Sequence, residues 1–141
     1  MTKVYGDFDQ ETLDNEFLIS KTVPALEPFI EEYARRSAAA RDSLECREDV
    51  SYGNHPDQVV DVFPAKAGDG GAAPVFIFIH GGYWRMLSQK ESSFMAPCMV
   101  ENGIAVVTVS RISTRSPGAI SPATPLTALI GMVNARLPSA T

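Results

Sequence analysis

The residues of this chain best suited to chemistry are His80, Gly81 and Gly82, which follow the apolar run VFIFI and precede Tyr83 and Trp84. Two adjacent glycines after a buried strand let the main chain adopt conformations that a side chain would block. N–H groups held in place by such a loop can stabilise the negative oxygen that forms during acyl transfer. The simpler interpretation is a tight turn, because Gly-Gly is a common turn signal.

Two helices are predicted before this segment. An acidic pattern predicts a helix over residues 7–20, with Asp7 or Asp9 as its N-terminal cap. Apolar residues at helical spacing predict a second helix over residues 25–44, where Pro24 or Pro28 suits the first turn.

The sequence around the His-Gly-Gly segment predicts a hairpin followed by a strand–helix–strand unit. Strand-like runs at 49–52 and 59–63 flank the turn cluster GNHPD, in which His55 is interpreted as a turn residue. The apolar runs at 75–79 and 104–109 are typical of strands in a parallel sheet. A helix at 92–100, stopped by Asn102-Gly103, connects them.

Composition limits the class of protein. The chain has 141 residues, 45% hydrophobic and 21% charged, which suits one globular domain. A net charge of −5 argues against a nucleic-acid partner. Cys46 and Cys98 match neither a disulfide framework nor zinc spacing, and no phosphate-binding glycine motif is present, so we expect no metal and no cofactor. Without an apolar N-terminal region or a run of about 20 apolar residues, we expect no membrane partner and a cytoplasmic location.

The segment HGGYWR, with RSAAARDSL and VVDVFPA upstream, resembles the N-terminal part of the α/β-hydrolase fold. The resemblance is to the arylformamidase (kynurenine formamidase)-like and carboxylesterase-like branch with a His-Gly-Gly oxyanion motif, and it covers residues 5–109. It implies a serine hydrolase that cleaves acyl esters or aryl formamides. It also implies that Gly81, Gly82 and Tyr83 donate main-chain N–H groups to the oxyanion, that His80 positions the loop, and that Tyr83 and Trp84 contact the substrate.

The catalytic triad of that family is not recognisable in the sequence. In this fold a serine on a G-x-S-x-G elbow comes first, followed by an acid and then a histidine. The sequence contains no G-x-S-x-G, no Asp or Glu after Glu101 and no His after His80. We therefore expect an α/β-hydrolase sheet truncated before the nucleophile elbow, and a chain that is inactive alone.

The tail departs from the family pattern, so we divide the chain into an α/β-hydrolase portion at 1–109 and a divergent tail at 110–141. One interpretation of the tail is a terminal helix at 124–137, with Thr124 as cap and Pro125 in its first turn. The other is that the chain leaves its original reading frame near Ser110. That hypothesis fails if the other two frames downstream encode no G-x-S-x-G followed by Asp and His.

Two further functions remain open. The chain could be a non-catalytic module that binds an aromatic ester or amide, or that completes its sheet with another chain. A sheet without its central strands would expose edges and faces of VFIFI and IAVVTV, which favours self-association. The third alternative is an enzyme that uses Cys98 with His80, although nothing in the sequence marks Cys98 as an activated thiol.

Overall fold

The structure is a computed structural model that describes residues 2–18, 23–66, 72–82 and 86–110. The chain forms two compact units, Met1–Glu32 and Tyr33–Thr141. Tyr83, Trp84 and the predicted helix at 124–137 lie outside the described residues. The boundary between residues 109 and 110 stays a prediction.

The first unit contains a small strand pair and a short helix. Strands β1 (Lys3–Tyr5) and β2 (Phe8–Asp9) pair in antiparallel fashion, and helix α1 (Gln10–Phe17) follows at once. The Asp9 carboxylate accepts a hydrogen bond from the N–H of Thr12 at 2.9 Å, which confirms one of the two predicted caps. The helix is shorter than the predicted 7–20, because its first residues belong to β2.

Helix α2 (Glu27–Ser43) begins in the first unit and continues into the second. Its bounds agree closely with the predicted 25–44, and Pro28 lies in its first turn, where a missing N–H costs nothing. Ser37 and Ala40 are buried on its inner side.

The second unit is built on a four-stranded sheet. Its strands are β3 (Arg47–Ser51), β4 (Val59–Phe63), β5 (Val75–Ile79) and β6 (Ala105–Val109). Their order across the sheet is β3-β4-β6-β5. The pairs β3–β4 and β4–β6 are antiparallel, whereas β5 and β6 are parallel. The predicted hairpin and the predicted strand–helix–strand unit are both confirmed.

The two faces of this sheet differ in chemistry. One face is a valine cluster, formed by Val60, Val62, Val107 and Val109. The opposite face carries Phe63 and Val106, which pack with Ala40 of α2 and with Ala96. Asp61 and Thr108 lie on this second face, opposite each other on neighbouring strands, and both side chains are buried.

The connection between β5 and β6 is less helical than predicted. A short 3₁₀ helix spans Gln89–Glu91, and helix α3 covers only Ala96–Glu101, not 92–100. The reason is that the N–H of Ser93 donates to Ser37 Oγ at 3.0 Å, so this stretch is bonded to α2 instead of to its own helix. The predicted stop is confirmed, because Asn102 caps α3 and Gly103 has φ +75°.

The predicted exposure of both apolar strands is wrong for β6. All five residues of β6 are buried, because β4 and β5 pair with its two edges and side chains of the two core clusters cover its two faces. Strand β5 differs, since only β6 pairs with it among the described residues, and Phe76 and Ile79 are 37% and 60% exposed. No helix within the described ranges is long and apolar enough to cross a membrane.

Candidate functional site

The His-Gly-Gly segment lies at the carboxyl end of β5. Because β5 and β6 are parallel, their carboxyl ends meet, and Ile79 pairs with Val109. In open α/β sheets ligands bind beyond this end of the strands. The sheet therefore places His80, Gly81 and Gly82 where a substrate would be expected.

The two glycines have different structural requirements. Gly82 has φ +113°, and a Cβ built there would lie 2.3 Å from the carbonyl oxygen of Met86. The N–H of Met86 donates to the carbonyl of Gly82 at 3.0 Å, which closes a tight turn. A Cβ on Gly81 would contact no atom within 4 Å. Gly82 is thus required by the turn, whereas Gly81 keeps open space beside the main chain.

The main-chain N–H groups of Gly81 and Gly82 are the hydrogen-bond donors that this loop offers to a ligand. The hydrogen bonds of the described residues leave the N–H groups of Gly81 and Gly82 without an acceptor. Such groups can donate to a ligand oxygen without breaking an existing bond. Tyr83, the third predicted donor, and Trp84, the predicted substrate contact, lie outside the described residues.

His80 contacts the loop itself. Its Nδ1 donates to the carbonyl oxygen of Gly81 at 2.6 Å, which places the ring proton on Nδ1. The side chain is half-buried. The loop-positioning role that the resemblance implies for His80 stays a prediction.

The segment after the loop is turned back onto the sheet. Leu87 has φ +66°, which is uncommon for a residue with a side chain. Ser88 then caps the 3₁₀ helix: its Oγ accepts from the N–H of Lys90 at 3.1 Å and donates to the Glu91 carboxylate at 2.7 Å. These contacts direct the Lys90 side chain toward β3 and β4.

Lys90 lies at the centre of a cluster of carboxylates. Its Nζ is 2.8 Å from a carboxylate oxygen of Glu48 and 3.2 Å from carboxylate oxygens of Asp49 and Asp61. The Asp61 side chain is fully buried, and it also accepts from the N–H of Asp49 at 2.9 Å. Asp49 has φ +53° within an irregularity of β3, which brings its N–H to Asp61.

The pKa values in this cluster follow from burial and charge. Burial raises the pKa of Asp61, and this effect outweighs the hydrogen bond from Asp49 and the nearby ammonium of Lys90. Burial lowers the pKa of Lys90, but its hydrogen bonds and charge interactions with Glu48, Asp49 and Asp61 together raise it above the ordinary value. Lys90 therefore stays protonated at neutral pH.

The three carboxylates of Glu48, Asp49 and Asp61 lie within 4.8 Å of one another, a spacing that a metal ion can bridge. The ammonium of Lys90 already contacts all three. The guanidinium of Arg41 adds a second positive charge, 3.6 Å from Glu48 and 4.0 Å from Asp61. Because the chain itself supplies these two cations, we assign the cluster as an internal ion-pair network.

This network was not predicted from the sequence. One signal was available, because Asp61 interrupts the apolar strand VVDVF and an acid is almost never fully buried without a partner. The partner itself was not predictable, since Lys90 is 29 residues away along the chain.

Within the described part of the chain, no hydrogen bond joins Cys98 to His80, the pair considered above as an alternative nucleophile and base. Cys98 is exposed on α3, whereas the His80 Nδ1 is bonded to Gly81. Cys46 is half-buried, and burial, together with the charges of Asp61 and Glu48, raises its pKa to about 12. Its thiol is thus protonated and a weak nucleophile.

Comparison with known proteins agrees with the hydrolase resemblance. The chain is 38% identical over 71 residues to the kynurenine formamidase of Danio rerio and 37% identical over 70 residues to that of Salmo salar. Each match covers 50% of this chain and 24% of the relative. The chain thus spans about a quarter of the length of the curated relatives that it matches. No family model matches it.

One solved structure supports the fold. The crystal structure of a protein assigned as a thioesterase from Silicibacter sp. superimposes with a TM-score of 0.61 and 25% sequence identity. The match covers 70% of this chain and 37% of that chain. Together with the sheet order and the His-Gly-Gly segment, these likenesses support an arylformamidase- or esterase-like α/β-hydrolase fold, of which this chain matches a part.

Proposed function

We propose that this chain carries the oxyanion-binding part of a serine hydrolase that cleaves acyl esters or aryl formamides. The observation that supports this most directly is the pair Gly81–Gly82 at the carboxyl end of β5, with N–H groups that have no acceptor among the described residues. Donors arranged in advance around a developing oxyanion lower the barrier to acyl transfer. The likeness to kynurenine formamidases favours an aryl formamide as substrate of the whole protein.

The same proposal includes inactivity of this chain alone. An oxyanion loop stabilises a charge that a nucleophile must first create, and the sequence contains no G-x-S-x-G elbow and no later acid and histidine. Binding of a carbonyl oxygen without a nucleophile does not cleave the bond.

An assay of the purified chain tests the proposed inactivity, and it tests the role of the loop only if turnover is found. We expect no hydrolysis of p-nitrophenyl acetate or of N-formyl-kynurenine above the buffer rate. Turnover that a serine-directed phosphonate abolishes would contradict the proposed inactivity. Turnover that persists in a Gly81→Val variant would contradict the role of the loop, because the added side chain fills the open space beside Gly81.

A second candidate is a non-catalytic module that completes its sheet with another copy of the chain. The free edge of β5 among the described residues, with Ile79 60% exposed, favours it. It predicts a defined oligomer by multi-angle light scattering, which an Ile79→Lys substitution should dissociate. A polydisperse aggregate, or an oligomer unaffected by that substitution, would count against this candidate.

A further inference from the structure

We propose that Lys90 is a positioning residue for the His-Gly-Gly loop. Its ammonium group fixes the segment that follows the loop to strands β3 and β4, and this attachment holds the main chain of Gly82 in its turn. The purpose of the loop rests on the proposed function, but the attachment does not, and it can be measured without a substrate.

The first step is the connection from Gly82 to Lys90. The Met86 N–H is bonded to the Gly82 carbonyl at 3.0 Å, so the two ends of the turn move together. Only Leu87, Ser88 and Gln89 separate Met86 from Lys90, and the Ser88 cap fixes the direction of this short stretch. A displacement of Lys90 is therefore transmitted to Gly82.

The second step is the attachment of Lys90 to rigid elements. Its ammonium contacts Glu48 and Asp49 of β3 and the buried Asp61 of β4. Its carbonyl accepts a hydrogen bond from Arg41 Nη1 of α2 at 2.9 Å. Both the side chain and the main chain of Lys90 are thus held by different elements of the second unit.

The third step is the network around this attachment. Gln89 Nε2 donates to Asp49 Oδ1 at 2.8 Å, and Ser93 Oγ donates to the carbonyl of Gln89 at 3.1 Å. Ser93 Oγ also lies 3.4 Å from Thr108 Oγ1 of β6. Six of the seven buried polar residues in the described ranges belong to this network, namely Ser37, Asp61, Gln89, Ser92, Ser93 and Thr108.

Such a network favours one geometry. A buried polar group without a partner is costly, so a satisfied network permits few alternative arrangements. No buried side-chain nitrogen or oxygen within the described residues lacks a partner. The polar network interrupts the otherwise apolar face of the sheet just where the segment after the loop crosses it.

Amide NMR of the uniformly ¹⁵N-labelled full chain tests the proposal, with Lys90→Met as the variant. We expect the amide signals of Gly81 and Gly82 to move, and the hydrogen exchange of the Met86 amide, which donates to the Gly82 carbonyl, to become at least about tenfold faster, as expected for a turn that opens more readily. The control is Lys66→Met, which removes an equal charge at an exposed position. A folded Lys90→Met variant with both glycine signals unchanged would overturn the proposal.

A milder variant keeps the test decisive if Lys90→Met does not fold. Glu48 is 49% exposed and supplies one of the three carboxylates, so Glu48→Gln weakens the attachment without removing the ammonium. We expect the Gly82 signal to move in this variant and to stay in place in Glu45→Gln, because the Glu45 side chain is 70% exposed and pairs with Arg47. An unchanged Gly82 signal in folded Glu48→Gln, with lowered thermal stability alone, would assign Lys90 a purely structural role.

The two proposals fail independently. If the loop never takes part in hydrolysis, the glycine signals still report whether Lys90 fixes it. If the glycine signals do not respond, the hydrolysis assay still tests the proposed function, because it does not depend on Lys90. Trp84, the only tryptophan of the chain, follows Gly82 by two residues in the sequence, so acrylamide quenching of its fluorescence gives a second readout. Greater quenching in Lys90→Met than in Lys66→Met supports the proposal, and equal quenching contradicts it.

Discussion

Lys90 Nζ lies 3.2 Å from both carboxylate oxygens of Asp61, and this contact joins the segment after the His-Gly-Gly loop to the middle of β4. Asp61 is fully buried, whereas about one third of the Lys90 side chain is exposed. The pair thus links the surface at the loop with the interior of the sheet. Glu48 and Asp49 on β3 also contact the Lys90 ammonium, so the geometry of the loop depends on residues far from it in sequence.

The two glycines should respond differently to the same small substitution. Gly82→Ala places a Cβ 2.3 Å from the Met86 carbonyl at a φ of +113°, and we expect a loss of about 1–3 kcal/mol in the free energy of unfolding. Gly81→Ala meets no atom within 4 Å, and we expect a change within about 0.5 kcal/mol. Urea denaturation followed by circular dichroism measures both. Equal losses in the two variants would contradict the described turn.

Lowering the pH should increase the contribution of the buried Asp61 carboxyl to the stability of the folded chain. Because burial raises its pKa above 3.8, the folded state binds this proton more tightly than the unfolded state. The contribution of Asp61 to stability therefore increases as the pH falls from 7 toward about 4. Relative to Asp61→Asn, the wild-type chain should gain stability over this range. A constant difference between the two proteins in urea denaturation at pH 7 and pH 4.5 would refute the raised pKa.

The two cysteines should differ in reactivity. Cys46 has a pKa of about 12 and is half-buried, whereas Cys98 is exposed on α3. We expect one thiol to react rapidly with Ellman's reagent at pH 8 in the folded chain, and Cys98→Ser to abolish that rapid phase. Loss of the rapid phase in Cys46→Ser instead would show that the assignment is wrong.

The raised pKa of Cys46 predicts a loss of stability at alkaline pH. Because the folded state holds the Cys46 proton up to about pH 12 and the ordinary value is 9.0, the folded state binds more protons in between. Stability from this group is present below pH 9 and decreases as the pH rises above it. Cys46→Ala should therefore lose less stability than the wild-type chain between pH 8.5 and pH 10, measured by urea denaturation.

An aromatic contact between α2 and β5 should contribute measurably to stability. The ring of Phe94 stacks on that of Tyr33 with centroids 4.8 Å apart and meets Phe78 edge-on at 6.3 Å. We expect Phe94→Ala to lower the free energy of unfolding by about 2–4 kcal/mol, from lost burial and lost ring contacts. The matched control is Phe17→Ala, whose ring is 70% exposed and whose loss should cost less than about 0.5 kcal/mol. Similar losses in the two variants would contradict this packing.

The sequence alone predicted features that depend on neighbouring residues. The cap at Asp9, the stop at Asn102-Gly103 and the four strands follow from local composition and spacing, because these residues act within a few positions of each other. The sequence also determined which residue types are present, and it contains no recognisable triad. The likeness of HGGYWR to a hydrolase loop came from the same short stretch.

The tertiary structure alone decided which distant residues meet. The sheet order β3-β4-β6-β5 buries all of β6, and it places Asp61 beside Thr108 on one face. Ser93 bonds with Ser37, 56 residues away, which shortens α3, and Lys90 finds its carboxylates on two other strands. Burial creates these partnerships, since a charge enclosed by the sheet needs a counter-charge from whichever segment the fold brings near it.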